Sequence, residues 1–216
     1  MSADWIAADW PAPSGVIAGT TLRKGRLDEL ALPGEPCFLK QVHGAEVVIA
    51  AAYATPPEAD ACVGRLPGDV CAVRTADCLP VLFCSSDGTE IAAAHAGWRG
   101  LAAGILEATV ARMAHDNADL IAWFGPAISQ PAFEVGSEVK EAFVQQDPGD
   151  ASFFEPNDRG RWQADLYELA RRRLSASGLT GIFGGGFCTY ADTERFFSYR
   201  RDPGCGRMIS FVARRL

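Results

Sequence analysis

Apolar positions along the chain recur with two periods, and they predict many short strands and three helices. Residues 1–36 carry many Pro and Gly and little periodicity, apart from GVIAGTTL (15–22), which reads as one strand. CFLKQVHGAEVVIA (37–50) reads as two short strands broken at His43-Gly44, and AAYATPPEA (51–59) as a loop. DVCAVRTADC (69–78) and LPVLFCS (79–85) are apolar enough for buried strands, with Pro80 marking a break or bulge between them. SSDG is a hairpin turn signal, and TEIAAAHA (89–96) is the returning strand. The period then changes. GLAAGILEATVARMAHD (100–116) carries a helical stripe at Leu101, Ile105, Leu106, Val110 and Met113. LIAWFGP (120–126) is a strand ending at Gly-Pro. GSEVKEAFVQQD (136–147) predicts a helix capped by Ser137 and stopped by Pro148, and ADLYELARRRLSASG (164–178) another, with Asp165 in its first turn and Gly178 at its exit. Strand-like pieces follow at 180–184, 196–200 and 207–213. Strands outnumber helices and come in hairpin-like order, which favours an α+β fold with mixed sheets over a strictly alternating one.

The 216 residues suit one domain, taken as 1–216, and can bury a sizeable core. With 48% apolar residues the composition is globular. A net charge of −7 disfavours general binding to nucleic acid or to an anionic membrane. No apolar run reaches the length of a membrane span. The opening MSADWIAADWPAPSG is too acidic and too rich in proline to read as a signal peptide. The seven cysteines follow no disulfide framework and form no CxxC pair, so reduced thiols in a cytoplasm are expected and a zinc ribbon is not.

The hairpin raises a question of chemistry. A two-residue loop at Ser86-Asp87 sets Cys78 opposite His95, and a loop at Asp87-Gly88 sets Pro80 there instead. Both registers put thiol and imidazole on one sheet face, whereas a three-residue loop separates them. On this pair alone, a small core cysteine and a satisfied core histidine stand as an equal alternative. Three features add weight to a site. After His95, Gly97, Arg99 and Gly100 open a helix, a combination suited to an anion. Of the three histidines, His43 sits at a strand break where a turn can aim it into a cleft, which would complete a His₂Cys set of the kind that holds catalytic zinc. His115, near a helix end, reads as a surface residue. Finally, RFFSYRRDPGCGRM (195–208) interleaves four arginines with aromatics, suited to a flat heterocycle bearing or reacting with an anion.

Seven stretches, KQVHGAEV, EADACV, VRTADCLPVLF, AAAHAGWRGLAAGI, GPAISQPAFEVGSEV, WQADLYELA and FFSYRRDPGCGRM, run in order across residues 38–211. Together they resemble the YfiH-like family, also called the laccase-domain or DUF152 family. The resemblance implies an α+β fold with mixed β-sheets packed as a sandwich and flanked by helices. It implies that His43, Cys78 and His95 form a metal-binding active site, with zinc the expected ion and copper the less favoured one. It also implies phosphorolysis of purine nucleosides (adenosine, inosine, guanosine, methylthioadenosine) with adenosine deamination alongside, and, for bacterial members, a link to cytoplasmic editing of peptidoglycan precursors. Phosphate is expected to meet Arg99, with Lys40, Gln41, Arg23 and Arg200 as further candidates. Arg23 lies one position away from the arginine of the family's usual TTR-x-GG start, in a segment shorter than usual, and Cys205 stands where the family often has Thr. Asp77, beside Cys78, is a candidate proton donor or a residue that holds a turn. The oligomeric state is open.

Rival functions remain. A multicopper oxidase needs many more imidazoles than three histidines supply. A Cys/His amidase acting on UDP-linked cell-wall precursors would share the anion pocket but need no phosphate. A non-enzymatic nucleotide-binding protein would have no use for an open three-ligand cluster.

Overall fold

The structure, a computed structural model, describes residues 4–216. Met1–Ala3, which begin the stretch read as lacking a leader, lie outside the described residues. Numbered in chain order, the strands β1 (Trp5–Ala7), β2 (Val16–Thr21), β3 (Pro36–Cys37), β6 (Val70–Thr75) and β14 (Met208–Arg214) form a five-stranded sheet in the order β1-β2-β14-β6-β3. A six-stranded sheet runs β13 (Gly181–Gly184), β9 (Leu120–Phe124), β7 (Leu79–Ser85), β8 (Ile91–Ala96), β5 (Ala61–Gly64) and β4 (Val47–Ile49). Both are mixed: β3 with β6, β13 with β9 and β4 with β5 are parallel pairs, and the other pairs are antiparallel. A small third sheet joins β10 (Glu134–Val135), β12 (Trp162–Ala164) and β11 (Phe154–Pro156).

Strand alternation explains how the layers pack. Leu82 and Cys84 of β7, Ile91 and Ala93 of β8 and Trp123 of β9 meet Cys71 and Val73 of β6 and Val212 of β14 between the two large sheets. Val81, Phe83, Ala92 and Ala94 point the other way, against a helical layer that contributes Leu101, Ile105, Leu106, Val110, Phe143, Leu169 and Leu174. Because β7 and β8 are covered on both faces, every residue of each is buried, which is why they read as continuous apolar runs. The expected sandwich of mixed sheets flanked by helices is what forms.

Several local expectations need correction. The stripe at 100–116 is two helices, α1 (Trp98–Ala102) and α2 (Ile105–Arg112), because Gly104 between them takes the left-handed region at φ 88°. Helix α3 (Ser137–Val144) is entered through Gly136, and the Ser137 hydroxyl accepts instead from the Trp162 indole N–H at 3.2 Å. Helix α4 (Leu166–Ala176) is capped by Asp165, whose carboxylate accepts from the Glu168 N–H at 3.1 Å. Residues 196–198 are irregular and 199–200 lie in a turn, so this piece is not a strand. The two strands of 37–50 shrink to β3 and β4, with a single bridge at Lys40–Glu58 between. The break between β6 and β7 falls at Ala76–Cys78, and Pro80 lies inside β7. β1 and the third sheet were not foreseen, being two- and three-residue strands without a period to read.

Candidate active site

The β7–β8 hairpin adopts the register in which Pro80 faces His95, with Asp87-Gly88 at the tip. Cys78 lies just before β7 on the Pro80 face, so its thiol approaches the imidazole at the open end of the sandwich. His43 arrives from the loop between β3 and β4, and its ring meets that of His95 edge-on at 4.7 Å between centroids. One donor atom from each of His43, Cys78 and His95 lies within 4.8 Å of the others. The cluster anticipated from three distant segments therefore assembles.

A residue absent from the sequence-based candidates organises it. Asp60, wholly buried, sits 2.8 Å from His95 Nδ1. The same carboxylate accepts the N–H groups of Val42 (3.1 Å), His43 (2.9 Å) and Gly44 (2.7 Å). Those bonds hold His43 in the left-handed region at φ 61°, a costly conformation for a residue with a Cβ. Burial works against the Asp60 charge, but His95 and the loop amides outweigh it and hold its pKa below the usual value. The signal in the sequence was an acidic residue inside an otherwise apolar strand entry, EADACV.

Burial alone would push the Cys78 thiol up, yet its hydrogen bonds and charge interactions with His43 and His95 bring it down to about 6. Burial likewise disfavours a charged His95, and Asp60 and Cys78 overcome that and raise it to about 9. The pair thus favours thiolate and imidazolium. Gly97 completes the packing: a Cβ there would stand 3.0 Å from Cys78 Sγ and 3.1 Å from His43 Cδ2, so any side chain at the β8–α1 junction would press on the cluster.

Two cavities meet at this centre. One, about 230 Å³, is lined by Trp98, Ile128, Phe133 and Leu166 with Arg99 and Arg200. The other, about 550 Å³, is lined by Gln41, Arg74, Thr75, His95 and Arg207. His43, Ala76, Cys78 and Tyr199 belong to both walls. Arg99 lies with its guanidinium over the Trp98 ring at 4.4 Å, and Arg200 donates to the Glu134 carbonyl at 2.9 Å. Helix α1 behind Arg99 is only five residues long, too short to supply a strong N-terminal field. Gln41 exchanges hydrogen bonds with the Arg74 backbone at 2.9 and 2.8 Å. Lys40 is paired on the surface with Glu58 at 2.7 Å and lines neither cavity. Arg23 donates to the Thr193 carbonyl and lies over Phe197, also away from both. His115 lies beyond α2, 2.8 Å from the buried Glu90 carboxylate.

Asp77 holds a turn. At φ 87° it accepts from Thr189 Oγ1 (2.6 Å), Ser198 Oγ (3.0 Å) and the Arg200 N–H (2.7 Å). This fixes the 189–200 segment, and with it Tyr199 and Arg200, over the cluster.

The donor set suits a metal ion. A thiolate and two imidazoles are the N and S ligands zinc prefers, and three protein ligands leave a position open. His95 Nδ1 is committed to Asp60, which leaves Nε2 as its free nitrogen and matches the carboxylate–histidine arrangement common at metal sites.

A family model described as multi-copper polyphenol oxidoreductase laccase matches residues 21–215. A protein of Pseudomonas aeruginosa named purine nucleoside phosphorylase is 45% identical over 239 aligned residues, covering 96% of this chain and 97% of that one. Purine nucleoside phosphorylase YfiH of Escherichia coli is 46% identical with the same coverage. Among solved structures, a DUF152 protein of Neisseria meningitidis superposes with a TM-score of 0.94 at 41% identity, over 99% of this chain and 100% of that one. YlmD of Geobacillus stearothermophilus superposes at 0.91 with 26% identity, over 100% and 98%.

Proposed function

The chain belongs to the family described as multi-copper polyphenol oxidoreductase laccase, which includes the YfiH-like phosphorylases, and from that premise we propose that it is a purine nucleoside phosphorylase. The reading rests on the His43, Cys78 and His95 donors converging where two cavities meet, one of them lined by Trp98, Phe133 and Tyr199 with Arg99 and Arg200. Trp98, Phe133 and Tyr199 offer flat faces for a purine, and Arg99 and Arg200 offer donors for its polar edge and for the ribose. Asp60 fixes the His95 ring, and Asp77 keeps Tyr199 and Arg200 over the bound nucleoside. In the reaction a phosphate oxygen bonds to ribose C1′ as the glycosidic C–N bond breaks. The electron pair leaves with the base, and the proton of hydrogen phosphate passes to it, giving ribose 1-phosphate and free purine. His43, Cys78 and His95 would hold zinc, which would supply Lewis acidity at this centre. Adenosine, inosine, guanosine and methylthioadenosine are the proposed substrates, with adenosine deamination at the same centre. All seven cysteines are free thiols, which supports a cytoplasmic setting. No helix among the described residues is long and apolar enough to cross a membrane.

The Cys78 thiolate favours one rival, a Cys/His amidase. Adenosine with the metal-analysed protein separates the readings. Phosphate-dependent release of adenine and ribose 1-phosphate is expected. Absence of phosphate-dependent cleavage of any of the four nucleosides overturns the proposal. Ammonia release without phosphate reports the deaminase activity.

A further inference from the structure

The outer face of the five-stranded sheet carries a third hollow. Strand alternation sends Cys71 and Val73 of β6 inward, between the sheets, and Ala72 and Arg74 outward. Arg74 therefore shares the outer face with Ile209, its partner on β14, and with Phe38, which follows β3. Residues 25–36 arch over this row and bring Leu27, Leu30 and Leu32 against it. Between arch and sheet lies a cavity of about 650 Å³, a size that suits a small-molecule ligand.

Its apolar walls end at two exposed guanidinium groups. Arg74 lies over the Phe38 ring at 3.8 Å, and its side chain makes no hydrogen bond or ion pair among the described residues. Arg207 spends one Nη on the Cys205 and Gly206 carbonyls, at 2.8 and 3.0 Å, and has no carboxylate partner among the described residues. The other charges of the cavity do not cancel this pair. Arg26 and Asp28 satisfy each other at 3.0 Å, and Glu35 is a single carboxylate against two cations.

We propose that this hollow binds an organic carboxylate, its anionic head on Arg74 and Arg207 and its apolar body among Leu27, Leu30, Leu32 and Phe38. A guanidinium fork matches a carboxylate in shape and charge, and stacking on Phe38 orders the Arg74 fork before the ligand arrives. The leucines and Ile209 give the body of the ligand an apolar surface to cover. The site is independent of the phosphorylase reading, although both arginines also border the larger cavity at the cluster.

Fluorescence titration of 2-naphthoate into the full chain tests this, with the neutral 2-naphthamide as the comparison. We expect saturable binding of naphthoate below millimolar concentration and at least about ten-fold weaker binding of the amide. Arg74→Met and Arg207→Met, both at exposed side chains, should each weaken naphthoate about ten-fold. Leu30→Ser, which touches only the arch, should weaken it several-fold. Arg159→Met, on the third sheet, should leave it unchanged. The proposal is overturned if naphthoate does not saturate the protein at millimolar concentration, or if the amide binds equally well. It is also overturned if the arginine variants lose affinity while Leu30→Ser keeps it, since the anion would then sit in the larger cavity.

Discussion

Cys78 and Asp60 carry most of the chemistry at the scale of single residues. With the Cys78 thiol held at about 6, its thiolate fraction rises as pH climbs through that value rather than near the ordinary 9.0. Iodoacetamide labelling of Cys78 in metal-stripped protein, followed by peptide mass mapping, should therefore plateau above pH 7. A midpoint near 9 would show that His43 and His95 exert no hold on the thiol. Asp60→Asn keeps the shape and removes the charge that orients His95. Zinc affinity, read by chelator competition, should drop about 10- to 100-fold. An unchanged affinity would reduce Asp60 to a loop brace. Sequence reading found the three clustered donors because two of the chain's three histidines and one cysteine fall beside turn and hairpin signals. It missed Asp60 because its role is to neutralise buried partners, and burial is decided by strands far away in the chain.

The turn from strand to helix decides the site at the level of elements. Gly97 lets β8 pass into α1 directly behind Cys78 and His43. Gly97→Ala should leave stability within about 1 kcal/mol, because its φ of −65° suits alanine, while pushing the thiol and imidazole apart. Metal affinity and turnover should fall by an order of magnitude or more, with the melting temperature little changed. Loss of the fold instead would refute a local role. Elements with strong periods were legible: β7, β8, β9 and α4 lie where the pattern places them. The break at Gly104 was not, since an apolar stripe continues across it and only the backbone's left-handed turn separates α1 from α2. The paired strands β10, β11 and β12 are too short to show alternation.

At the scale of the whole molecule, the two large sheets supply rigidity and the loops at one end supply chemistry. Leu82→Ala, between the sheets, should cost about 2–5 kcal/mol in denaturant unfolding, while the surviving folded fraction keeps its KM for nucleoside. Asp77→Ala should do the reverse: modest loss of stability, and a several-fold rise in that KM as the 189–200 segment loosens from the cluster. Matching effects from the two variants would argue against this division of labour. The α+β class with mixed sheets was legible in the order of strand and helix patterns, whereas the packing of the sheets as a sandwich was expected only from the family resemblance. The pairing order was not, because β14 is inserted between β2 and β6, partners that no local pattern announces.

That insertion has a temporal side. During synthesis β2 and β6 emerge long before Met208–Arg214, and although β2 can pair with β1 and β6 with β3, the edge each turns toward β14 stays unpaired until that late segment leaves the ribosome. A nascent chain therefore waits with an open seam through one sheet, and fragments ending before residue 208 should be easy prey for proteases.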